Sequence, residues 1–138
     1  MRYQSLLLIA ILSVCGAARA SELKIIANPS VGVTEISADE LRGVFLLTKS
    51  SLRDGGHVEP VLLKAGAAHE SFLKQYVGKT DTALETYYRS LVFTGKASMP
   101  KSVASDAEVA AYVARTKGAI GYVGAAVSAA GVKVIEVK

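Results

Sequence analysis

Two Ser-x-x-Glu boxes, Ser37-Ala38-Asp39-Glu40 and Ser105-Asp106-Ala107-Glu108, fix where two helices of this chain start. In each box the serine hydroxyl can accept from the third helical N–H while the glutamate reaches back to the cap. Leu41, Val44 and Phe45 follow the first box at helical spacing. The second helix runs on until Gly118. Between them lie two more amphipathic stretches. Phe72, Leu73, Tyr76 and Val77 form one stripe, closed by Gly78. Leu84, Tyr87, Tyr88, Leu91 and Val92 form the other, capped by Thr80 or Asp81.

Apolar runs separate these helices. Leu23–Ala27 reads as a strand that Asn28-Pro29 ends, because proline has no N–H for a ladder. Asp54-Gly55-Gly56 is a turn, and Val58–Leu63 is a strand with Pro60 near an edge or bend. Thr94 to Pro100 is a loop. Ala119–Val123 and Val132–Val137 are strands, with a short helical turn expected over Ala125–Ala130. Strands alternating with amphipathic helices call for an α/β domain with a largely parallel or mixed sheet flanked by helices. Ligands of such sheets sit at the carboxyl ends of strands, near helix N-termini.

The first residues read differently. Arg2, an apolar run from Leu6 to Ala18, and Ala18-Arg19-Ala20 have the layout of a cleaved secretory signal peptide. Residues 1–20 are therefore expected to be a leader and 21–138 a single domain, exported to the periplasm. The one cysteine, Cys15, leaves with the leader, and Val14 before it does not suit a lipoprotein signal. The exported chain must then hold its fold by core packing, without disulfides. Its net charge, about +2 once Arg2 and Arg19 are removed, is too mild to point to nucleic acid. No later segment has the apolar length to insert in a membrane.

Enzyme chemistry finds no scaffold. His57 and His69 are the only histidines, and no metal-ligand spacing appears. The chain has no G-x-S-x-G elbow, no Walker loop and no G-x-G-x-x-G after a strand. Its carboxylates are scattered, so no acid–base pair can be nominated. A non-enzyme without cofactor is expected.

Four stretches, in order, resemble one family. Leu41-Arg42-Gly43-Val44-Phe45-Leu46 looks like the I-F-x-G helix of phosphate-type solute-binding proteins of ABC transporters. Asp54-Gly55 and the strand to Leu63 resemble the W-x-D-G … I-x-P-V-x-R segment of that family. Lys64 to Phe72 falls at R-x-x-G-S-G-T-x-x-F, and Gly118-Ala119-Ile120-Gly121-Tyr122-Val123 is similar to P-G-A-I-G-Y-V. The resemblance covers nearly all of residues 21–138 and corresponds to about half of a full binding protein. It implies a single lobe of the type 2 periplasmic-binding-protein-like fold.

The resemblance also implies a site. In the family, Ser-Gly-Thr at a helix start and a nearby arginine hold phosphate. Here those hydroxyl positions read Ala68 and Glu70, with His69 between them, and the arginine position reads Lys64. The candidate ligand-binding residues are therefore Asn28, Ser30, Lys64, Gly66, Ala68, His69 and Ser71, with phosphate or another small anion as ligand. Backbone N–H groups at the helix start can hold an anion, and Lys64 supplies a point charge rather than a bidentate fork.

Each residue has a plainer reading. His69 is expected as a partly exposed first-turn histidine, against a pH-sensitive anion contact. Asn28 and Ser30 are turn formers beside Pro29, against cleft residues. Tyr122 is expected in the core. Thr94-Gly95-Lys96 offers a hydroxyl, a flexible backbone and an ammonium, but it is short and common. The rival to a binding module is a periplasmic interaction or sensor-docking protein, or a homodimer, that has lost solute binding. A binder calls for a concave site around Gly66 to Ser71, and a docking protein for a flat apolar patch there.

Overall fold

The computed structural model describes residues 23–53, 55–128 and 130–138. The expected leader, Cys15 and Asp54 of the expected turn lie outside them. The elements are β1 (Leu23–Ala27), β2 (Glu35–Ile36), α1 (Ala38–Phe45), β3 (Glu59–Leu63), α2 (Ala67–Phe72), α3 (Asp81–Phe93), β4 (Lys101–Val103), α4 (Asp106–Arg115), β5 (Ala119–Gly124) and β6 (Lys133–Val137). α2 runs without a break into a π-helical turn, Leu73–Val77, which Gly78 closes in a left-handed conformation.

The strands form one sheet in the order β2-β6-β1-β5-β3-β4. β1 runs antiparallel to both of its neighbours, β5 and β6, and every other pairing is parallel. This is the mixed, mostly parallel α/β sheet that the alternation of elements called for.

Both serine caps form. Ser37 Oγ accepts from Glu40 N at 3.0 Å and Ser105 Oγ from Glu108 N at 3.2 Å. Only the second box reciprocates, and its glutamate takes the N–H of Ala104 rather than that of Ser105. Glu40 faces Arg53 instead. Thr80, not Asp81, caps α3.

The sheet is covered on both faces. Gly121 of β5 lets α4 approach: a Cβ there would lie 2.9 Å from Val109 Cγ1. On the other face, the Tyr122 ring stacks on Phe72 of α2 at 3.9 Å, and Phe45 of α1 packs edge-on to Phe72 at 4.6 Å. Burying such side chains contributes about 1.5–3 kcal/mol each. α3 hangs from the end of α1, with the Tyr88 hydroxyl donating to Phe45 O and the Tyr87 hydroxyl to Leu46 O, both at 2.6 Å.

Three features differ from the sequence reading. β2 and β4 are too short to give a periodic signal. Ala125 to Ser128 forms a turn, with Val127 N bonded to Gly124 O, rather than a helix. Val92, in the expected apolar stripe of α3, is exposed together with Phe93.

Candidate functional site

The carboxyl end of β3 leads straight into the site. Lys64 donates its N–H to Val103 O of β4 at 2.9 Å, and its side chain is exposed. Ala65 follows, and then Gly66 turns the chain into α2 at φ 110°, a conformation that a side chain would strain. The backbone N–H groups of Ala67, Ala68 and His69 have no acceptor among the described residues; the first return bond is Glu70 N to Gly66 O.

His69 is not the partly exposed histidine expected. It is 3 % exposed. α2 lies along the sheet, so the face that buries Phe72 also buries His69 three residues before it. His69 Nδ1 sits 2.5 Å from the Tyr122 hydroxyl, and Nε2 sits 2.8 Å from Asp81 Oδ1. The Tyr122 oxygen also accepts the N–H of Leu63 at 3.1 Å. One proton arrangement satisfies all these groups: the phenol donates to Nδ1 and Nε2–H donates to Asp81. Burial raises the Tyr122 pKa well above the ordinary phenol range, with the Leu63 N–H pulling the other way. The network ties β3, β5, α2 and the start of α3 together at one corner.

That corner forms one wall of a cleft of about 570 Å³. Lys64, Ala65 and Gly66 line it, with His69, Glu70, Leu73 and Lys74 beyond and Gly78 to Asp81 opposite. Three lysines, Lys64, Lys74 and Lys79, face two carboxylates, Glu70 and Asp81, and Asp81 is already engaged by His69. Lys79 lies over the Tyr87 ring, 5.4 Å from its centroid. A smaller recess of about 270 Å³ adjoins it, sharing Lys64, His69 and Asp81 and adding Glu85, Tyr88 and Met99.

The structure does not bring the seven candidate residues together. Lys64, Gly66 and His69 line the cleft. Ala68 packs against the core and, like Ser71, does not line it. Asn28 and Ser30 lie at the opposite end of the sheet, because β1 runs against β5 and ends beside Ala119, where β3 begins. Both serve as turn and cap residues. Asn28 Nδ2 donates to Val113 O and Ala114 O at the end of α4, its Oδ1 accepts from Ser30 N, and Ser30 Oγ accepts from Gly118 N. Sequence reasoning missed Asp81 as a partner of His69, having read it as a helix cap. It placed Tyr122 correctly in the core without seeing its bonds.

The fold has relatives of known structure. An ABC-type phosphate transport receptor from Vibrio cholerae matches at 17 % identity and TM-score 0.57, over 84 % of this chain and 46 % of that one. A putative phosphate ABC transporter substrate-binding protein with bound phosphate, from Clostridium perfringens, matches at 11 % identity and TM-score 0.63, over 84 % and 44 %. PstS from Borrelia burgdorferi matches at 18 % identity and TM-score 0.66, over 85 % and 47 %. The chain has the fold of one lobe of a phosphate-type binding protein. It spans less than half the length of these structures. No protein-family profile and no curated protein matches it. The described residues of the lobe contain no helix long and apolar enough to cross a membrane.

Proposed function

We propose that this chain is an exported, periplasmic, non-enzymatic binding module that takes phosphate or a similar small anion in the cleft beside Lys64. One observation carries the reading: in a fold shared with phosphate-transport binding proteins, the cleft opens where Lys64 and Gly66 lead into the first turn of α2. Glu70 also lines this cleft, so an anion is expected on the Lys64 and Gly66 side, away from that carboxylate. The signal-peptide layout of residues 1–20 supports export, and the bonded His69–Tyr122–Asp81 corner supports a preformed wall. The test is calorimetric titration with phosphate, comparing the wild-type chain with Lys64→Ala.

A second reading, a docking protein, is favoured by a different observation. Phe93 is 92 % exposed beside exposed Val92, and Met99 is exposed in the loop that follows. The apolar patch of this reading lies at the end of α3, not around Gly66 to Ser71. Retention of the protein on a periplasmic partner, lost in Phe93→Ser and kept in Lys64→Ala, would favour it over anion binding.

A further inference from the structure

The amino end of β3 carries a second cleft, of about 490 Å³, that the first site does not use. It is bounded by the turn after α1, the start of β3 and the segment from Lys96 to Lys101. Lys64 lies at the other end of β3, and the smaller recess beside it shares only Met99 and Pro100 with this cleft.

Its charge is one-sided. Lys49, Lys96 and Lys101 line it together with His57, and Glu59 is the only carboxylate among the lining residues. Lys101 is 5.6 Å from the centroid of the Tyr112 ring. Lys49 and Lys96 form no ion pair with any described residue. Elsewhere, Arg53, Arg89 and Lys138 each face a carboxylate.

The Thr94-Gly95-Lys96 motif feeds this cleft, though not as a cradle. The Thr94 hydroxyl is spent on Ser90 O at 2.9 Å. Gly95, at φ 72°, turns the chain out of α3, and Lys96 then joins the cleft wall. Ser50 and Ser98 stand on the same walls with their hydroxyls unspent among the described residues.

We propose that this second cleft binds an anion carrying two or more phosphate or carboxylate groups. Three ammonium groups against one carboxylate favour a multiply charged ligand, because a single oxyanion neutralises only part of that excess and fills only part of the space. The ammonium groups are solvent-exposed point charges, so binding is salt-sensitive and tolerant of anion shape.

The probe is pyrophosphate, titrated calorimetrically into the full chain at low and moderate salt. A Lys49→Gln/Lys96→Gln double variant is expected to weaken pyrophosphate binding about tenfold, by removing two exposed ion contacts. In the Lys64→Gln background, which disables the first cleft, the pyrophosphate binding that remains is expected to depend on Lys49 and Lys96. Affinity should fall as salt rises. The proposal is overturned if pyrophosphate gives no binding heat. It is also overturned if Lys64→Gln abolishes binding while the double variant does not, which would place the anion in the first cleft. Failure of phosphate to bind beside Lys64 leaves this second cleft intact, so the two readings fail separately.

Discussion

His69 Nδ1 lies 2.5 Å from the Tyr122 hydroxyl, while the other ring nitrogen reaches Asp81. A buried imidazole with both nitrogens bonded is a structural joint, since it links the start of α2 to β5 and to α3. Removing it leaves the Tyr122 hydroxyl short of an acceptor in the core. His69→Ala is expected to cost about 2–4 kcal/mol, from the lost bonds and the cavity. Asp81→Asn keeps an acceptor for Nε2–H and should cost less, since its side chain is 59 % exposed. Urea unfolding of both variants checks the order.

The two buried phenols predict an alkaline limit. Burial raises the pKa of Tyr88 and Tyr122, with Tyr87 adding to the effect on Tyr88. The native state therefore holds these protons more tightly than the unfolded chain. Their contribution is fully present below the unfolded tyrosine pKa of about 10 and is lost as pH rises above it. Stability measured from pH 8 to 11.5 should fall above about pH 10, and less steeply in Tyr88→Phe.

Gly118 is irreplaceable for two reasons at once. It sits at φ 76°, and a Cβ there would stand 2.5 Å from His57 O. Backbone strain and a clash with main chain add, so Gly118→Ala should cost about 2–4 kcal/mol. Thermal unfolding measures it, with Gly55→Ala as a control that meets the strain but no clash.

These joints also show what the sequence could reveal. The four long strands and all four helices were legible, because Ser37, Ser105 and Thr80 cap three of the helices and short apolar runs alternate with stripes at helical spacing. β2 and β4 were not, since two or three residues carry no period. Lys64 and Gly66 were nominated from the resemblance, and the structure puts both on one cleft. His69 was misread because a first-turn position is usually solvated. Only the way α2 lies on the sheet, with Phe72 stacked on Tyr122, turns that position inward. Asn28 and Ser30 were pulled toward the site by their place after β1, but β1 runs the other way and carries them to the far end.

Exposure separates two phenylalanines. Phe72 is fully buried and Phe93 is 92 % exposed. Phe72→Ala should cost about 3–5 kcal/mol, whereas Phe93→Ser should stay within about 0.5 kcal/mol. Chemical denaturation of both variants checks the contrast, and an intact Phe93→Ser keeps that variant usable as a docking probe.

The central claim is that the cleft beside Lys64 holds a small anion. Isothermal titration of residues 21–138 with phosphate at pH 7, with sulfate as control, tests it most directly. The account predicts micromolar or tighter phosphate binding that Lys64→Ala weakens. No heat at millimolar phosphate would contradict it.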